Sequence, residues 1–378
     1  MVTGASAIAQ QSESGQPARP FLLVEGWFDR EWVSDLYTFT MDGRLIKRLT
    51  SEPLPTNHLV TVASGLGDPY FVANASALYS LSLRHNLLMP VHAANVGVVA
   101  VAPDGRTAAF VIAADAPPGT PYVAPQRARA SVSAGPPLVL RVTPVIAGSP
   151  WRPVQFTLPP QVIPTEMTFT PDGGHVLITH WPGEHTAQLL MVDLKNGASQ
   201  TVLAGDDVSY YQPVFAPDGK SLLAVREDFR AGRWSIISLP WPVAGSPAVI
   251  VTSPRGVSLS KPAFLADGTR FLFQQEETLV RATLDGKSVD PLTGTLDLKD
   301  HEWLPGLVDR RRPTRAGWMP GVVIRYIARL EWRERSNHED PALADLIVID
   351  VQTGRRTTVP MPSGKLLAAV VVEQGDPR

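Results

Sequence analysis

The chain has 378 residues, 44% hydrophobic and 19% charged, with 34 Lys and Arg against 36 Asp and Glu for a net charge of −2. That balance excludes a broadly basic nucleic-acid-binding face, and the absence of cysteine excludes disulfides, thiolate zinc sites and cysteine nucleophiles. No apolar run approaches the roughly 18 residues that cross a bilayer, so membrane association is expected to be peripheral at most.

In chain order, residues 1–20 are small and polar and predict a disordered tail. The segment AIAQQ within it resembles the small-x-small end of a secretory signal, though no basic or apolar region precedes it. From residue 21 to 378 the pattern predicts a single domain. Short β-branched and aromatic runs alternate with Gly, Pro, Asp and Asn, and no twelve-residue window carries helical periodicity.

FLLVEGWF (21–28) and LYTFTMDGRLIKRLT (36–50) open the series. Four short runs follow within 58–91, then a longer unit over about 95–158. That unit contains the Pro- and Ala-rich insertion 114–137, predicted to be an extended surface excursion or a docking arm. Compact units occupy 164–204, 209–252 and 257–293. GVVIRYIARLEW (321–332) and LIVIDVQTGRRTTV (346–359) form the next, with a charged loop at 330–345, and KLLAAVVVEQG (365–375) closes the chain.

Aligned, these units share two motifs. One is a Pro-Asp-Gly turn, at 103–105, 171–173 and 217–219, with Ala266-Asp267-Gly268 in the same frame. The other is a strand, a glycine turn and a strand, ending in Leu-Thr in the copies at 36–50 and 279–293. Proline presets φ at the first central turn position, aspartate bonds its own backbone and glycine accepts positive φ, so the triplet reads as a hairpin connector. One unit is therefore four antiparallel strands in roughly 40 to 50 residues, the mark of a β-propeller blade. The predicted fold is an all-β propeller of seven four-stranded blades. The first blade lacks an inner strand and the C-terminal strand is left over, so ring closure by that strand is expected.

These repeats resemble the TolB-type, WD-repeat-like propeller family, most clearly in the units at 164–204, 209–252 and 257–293. The resemblance implies an exported, periplasmic or extracellular bacterial protein that binds other proteins near a membrane, as a scaffold or an accessory subunit of an envelope complex. It implies no cofactor, no catalytic residue and no nucleic-acid partner. The alternative is a propeller-type lyase or hydrolase with a polar site at the central channel mouth. There His58 and His301 sit near strand starts where a metal constellation could form. HVLITHWPGEH (175–185) clusters three more histidines without a recognised ligand spacing. No Gly-x-Ser-x-Gly elbow and no Walker-type loop is present.

Five residues before the turn proline, or its Ala266 equivalent, stand Val98, Glu166, Gln212 and Lys261. Core positions repeat their chemistry between units; these do not. They are expected to ring the channel mouth. Either they pair across blades, as Glu166 with Gln212, or they form a binding site with Tyr210, Tyr211, His301, Glu302 and Trp303 on neighbouring segments. The basic run 309–315 is read as a solvated loop, with phosphate or lipid binding as the alternative.

Overall fold

The computed structural model describes residues 20–27, 35–49, 62–63, 70–73, 78–82, 87–92, 96–102, 107–114, 137–144, 153–182, 186–243, 245–265, 267–276, 278–292, 326–332, 344–362 and 365–372. Most of the N-terminal tail, the interior of the 114–137 insertion, residues 301–303 and the basic run 309–315 lie outside them.

The described residues form strands and turns, with no helix that could cross a membrane. The strands assemble into separate antiparallel sheets, each a meander of neighbours in sequence but for the C-terminal strand, which joins the first sheet, and the architecture is a β-propeller. Six sheets have four strands: β1–β3 with β27 (Phe21–Trp27, Asp35–Thr40, Leu45–Arg48 and Lys365–Val372), β4–β7 (within Val62–His92), β8–β11 (within Val99–Thr157), β12–β15 (within Pro164–Leu203), β16–β19 (within Val208–Thr252) and β20–β23 (within Leu259–Pro291). The sheet of β24–β26 (Tyr326–Trp332, Ala344–Asp350, Arg356–Val359) has three strands among the described residues. Seven complete four-stranded blades, as expected from the repeats, are therefore not what the described residues contain. The stretch before Tyr326, where the repeat pattern leads one to expect this sheet's inner strand, lies outside the described residues.

The C-terminal strand β27 pairs antiparallel with β1, from Phe21 opposite Val372 to Trp27 opposite Lys365, with a bulge at Glu25/Gly26. It occupies the edge of the first sheet where the sequence left a vacancy. Tyr37 and Phe39 of that sheet pack with Leu346, Val348 and Val359 of the last one. The same logic holds between sheets elsewhere. Met167, Phe169 and Ile178 meet Val111 and Leu140; Leu177 and Leu189 meet Phe215 and Leu222; Val214 and Leu223 meet Phe271 and Phe273. A strand alternates its side chains between two faces, so each sheet feeds two apolar seams and depends on both neighbours.

Among the described residues, the Pro-Asp-Gly turns at 171–173 and 217–219 and the aligned turn at Asp267 are built as expected, while 103–105 lies outside them. Asp172 Oδ1 accepts from Gly174 N at 3.0 Å, Asp218 Oδ1 from Lys220 N at 2.9 Å, and Asp267 Oδ1 from Thr269 N at 2.9 Å. The Thr170 hydroxyl beside Asp172 holds its carboxyl below the usual carboxylate range. In two units the second turn has a further role. Gly286, between β22 (Thr278–Thr283) and β23 (Val289–Pro291), has φ 70° and sits so close to β19 (Ala248–Thr252) that a Cβ would lie 2.8 Å from the Ile250 carbonyl oxygen. Gly43, between β2 and β3, meets the Pro360 carbonyl in the same way across the closing seam. Glycine is thus required twice over, by left-handed backbone and by contact with the preceding sheet.

Gly286→Ala is expected to cost clearly more than the roughly 1–2 kcal/mol of left-handed strain alone. Gly256→Ala, at φ 78° with open space around it, should show the strain alone. Urea denaturation of the two variants makes the comparison, and equal losses would refute the role of the inter-sheet contact.

Candidate functional site

The first strands β12 (Pro164–Phe169), β16 (Val208–Phe215) and β20 (Leu259–Phe264) pack on one another in sequence. Each begins at the end where the second strand of its own sheet finishes, as Pro164 opposite His180 and Val208 opposite Asp228 show. This is the end at which the repeats are expected to place the channel mouth.

Gln212 and Lys261 each precede a proline, Pro213 and Pro262. Proline has no N–H to give to a ladder, so the pairing slips: it jumps from Tyr211/Val225 to Val214/Leu223, and from Ser260/Gln274 to Ala263/Leu272. Gln212 and Lys261 sit inside these bulges with φ of 56° and 55°, left-handed for non-glycine residues. Their N–H groups are turned out of their own sheets and taken up by the sheet before. Gln212 N–H donates to Glu166 Oε2 at 2.7 Å, and Lys261 N–H donates to Gln212 Oε1 at 2.5 Å. Thr179 Oγ1 also donates to Glu166 Oε2, at 3.3 Å. The aligned positions thus form a relay from sheet to sheet, in which each side chain accepts the backbone of the next. Val98, the apolar member, packs instead against the core between the third and fourth sheets.

The relay is buried enough to move proton equilibria. Desolvation pushes the Glu166 carboxyl above its usual value against the pull of its hydrogen bonds. Lys261, only 7% exposed, has its ammonium pKa lowered by burial to about 8.

The two candidate tyrosines part ways. Tyr210 turns into the core between the fourth and fifth sheets, with Leu177 and Leu189, so it offers no rim surface. Tyr211, one residue on, faces the other way: its hydroxyl donates to Glu227 Oε2, and its ring stacks on Trp181 with centroids 6.4 Å apart and planes inclined 24°. Both rings of that stack are half-buried. His301, Glu302 and Trp303 fall outside the described residues. Thr179, Trp181 and Glu227 were missed in the sequence. The register could have supplied Thr179, which stands opposite Glu166, whereas Glu227 stands opposite Ser209 and Trp181 lies just past the end of His175–His180.

His180, opposite Pro164 at the end of β13 (His175–His180), is 3% exposed, and neither ring nitrogen has a hydrogen-bond partner among the described residues. Burial lowers its pKa below 6.5. Among the described residues no group of three or more His, Asp or Glu is placed to hold a metal ion.

Two outcomes follow from this geometry. Glu166→Ala strands the Gln212 N–H and should cost about 1–3 kcal/mol, whereas Glu166→Gln keeps an acceptor and should cost much less; chemical denaturation separates them. For His180 the folded chain takes up its proton at lower pH than the unfolded chain. The site's full stability is therefore present above pH 6.5 and is lost as pH falls through and below that value. His180→Leu should flatten that part of the stability–pH curve between pH 7.5 and 5, and an unchanged slope would refute it.

The chain matches no protein-family model, and no curated protein matches it. Solved structures share its fold. A periplasmic gluconolactonase of Pseudomonas aeruginosa superposes with a TM-score of 0.52 at 15% identity, over 93% of this chain and 99% of that one. A prolyl endopeptidase gives 0.58 at 13% identity over 97% of this chain, which spans only 50% of the endopeptidase. An oligogalacturonate lyase solved with manganese gives 0.54 at 13% identity, over 72% of this chain and 78% of that one. At these identities the likeness is one of fold: the chain is similar to β-propellers that include enzymes.

Proposed function

We propose that this chain is an exported, seven-bladed propeller of the TolB type that acts as a non-catalytic protein-binding platform through its channel-mouth face. One observation carries the reading. The polar groups best placed for chemistry at the mouth, the Glu166 carboxylate and the Gln212 carboxamide, are spent on the N–H groups of the next sheet. What the same face keeps half-exposed is aromatic: Trp181 stacked on Tyr211. Aromatic surface on a rigid support is what protein interfaces use as anchors.

Export is supported by the small-x-small segment near the start and by the periplasmic setting of one structural neighbour. The domain is read as one propeller from residue 21 onward, with the tail and the 114–137 insertion outside its sheets.

The second reading, a lyase or hydrolase at the mouth, is favoured by the gluconolactonase and the lyase solved with manganese among the neighbours. One experiment weighs both. The purified chain is used as bait in an envelope extract, beside Trp181→Ala, and its metal content is measured. A partner held by the wild type and weakened by the substitution is the expected result. Stoichiometric metal that disappears in His58→Ala or His301→Ala, or failure to hold any partner, would overturn the platform reading.

A further inference from the structure

The fifth sheet differs from the fourth and sixth at one place. Its second and third strands, β17 (Ser221–Asp228) and β18 (Arg233–Pro240), have eight residues each, against six in the matching strands His175–His180 and Gln188–Asp193 of the fourth sheet and Arg270–Gln275 and Thr278–Thr283 of the sixth. All three hairpins start level, since Ser221, His175 and Arg270 each stand four places after the turn proline or its equivalent. The two extra residues per strand therefore carry the β17–β18 strand pairing about 7 Å further toward the end where β16 begins.

The tip of this hairpin, Phe229 to Gly232, is apolar and basic where a solvated turn would be small and polar. Phe229 is 43% exposed, and the Arg230 side chain is 82% exposed. Arg233 and Arg255 are exposed beside it and make no ion pair with a described residue. The carboxylates nearby are mostly committed: Asp228 to Arg226 at 2.8 Å, Asp207 to Arg230 at 2.5 Å, and Glu227 to the Tyr211 hydroxyl. Asp206 is the exposed acid on the adjoining loop.

The tip is also held still. Phe229 N–H donates to the Asp207 carbonyl at 3.0 Å on one side, and Gly256 N–H donates to the Gly232 carbonyl at 2.8 Å on the other. Asp228 Oδ1 accepts from Ala231 N at 2.9 Å within the turn. Arg255 lies over Gly232, where a Cβ would stand 3.3 Å from its Nε. An exposed aromatic ring on a backbone bonded to both neighbouring loops loses little conformational freedom on binding, which is how preorganised anchors gain affinity.

We propose that this hairpin is a preformed knob that inserts Phe229 into an apolar pocket rimmed by carboxylates on a partner protein, with Arg233 and Arg255 meeting the rim. This rests on the protein-binding reading above and narrows it to one surface and one chemistry. A single ring with two guanidinium groups is too small a footprint for a membrane surface, and the chain's net charge of −2 does not suit a nucleic acid.

The test places p-benzoylphenylalanine at position 229 of the full chain, irradiates cells of the source organism, identifies the crosslinked protein and titrates it, purified, against the wild type and variants. Phe229→Ala is expected to weaken binding at least about 30-fold, as a hot spot does. The double variant Arg233→Glu/Arg255→Glu is expected to weaken it at least about tenfold, less so at high salt, with partial rescue by Asp or Glu→Lys changes on the partner's rim. Thermal melts equal to wild type establish that the variants fold. No crosslinked protein, or a partner indifferent to Phe229→Ala, overturns the knob. So does binding of phosphatidylglycerol vesicles or of a 20-base-pair RNA duplex through these same residues, without a protein. If the bait experiment holds a partner that Trp181→Ala weakens while Phe229→Ala does not, the knob fails and the platform stands; if neither experiment yields a partner, both fail.

Discussion

Two backbone N–H groups, those of Gln212 and Lys261, have no place in their own sheets, and much of the inner wall is arranged around that fact. Pro213 and Pro262 interrupt the ladder, the bulge swings the preceding N–H outward, and a buried donor without a partner would cost more than the bulge itself. The partner is supplied by the preceding sheet. A sheet that cannot satisfy its own backbone is tied to its neighbour by something directional, whereas apolar packing alone would let sheets slide. The same division of labour recurs at the periphery, where Gly286 and Gly43 press against carbonyls of the sheet before. Apolar seams supply the drive to assemble; these contacts set the registration.

Much of this was legible. The Pro-Asp-Gly frame located the hairpins because three residue types with separate conformational reasons coincide only where a tight turn is needed. The unattached C-terminal strand and the first sheet's missing edge predicted each other. The odd chemistry of Val98, Glu166, Gln212 and Lys261 marked the inner-strand position, and pairing between Glu166 and Gln212 was one of its two readings. What the alignment could not give was the direction of the bond. It runs from backbone to side chain, and it depends on a left-handed φ that no residue other than glycine advertises. Tyr210 was misjudged because strand alternation assigns adjacent residues to opposite faces, and only the bulge decides which tyrosine faces the mouth. The lengthened hairpin of the fifth sheet was countable in the repeat alignment, but its importance appears only when its tip is seen to be anchored on both sides.

The mouth also contains two groups whose burial acts in opposite senses. Desolvation favours the protonated Glu166 and the unprotonated His180, so acidification relieves the first and penalises the second. Because Glu166 holds the Gln212 N–H as an acceptor in either protonation state, its titration leaves the tie in place. His180 has no such compensation among the described residues, which makes it the more sensitive of the two.

The relay has a further consequence for how the ring behaves as a mechanical object. Its members run from a carboxylate, which only accepts, through a carboxamide, which accepts and donates, to an ammonium, which only donates. A link in which the side chain accepts the next backbone can therefore not be repeated beyond Lys261. The joints of this ring are unequal by composition: a carboxyl grips the fifth sheet and a carboxamide grips the sixth. A closed ring with graded joints has a built-in seam, set by side-chain chemistry and separate from the place where the chain's two ends meet.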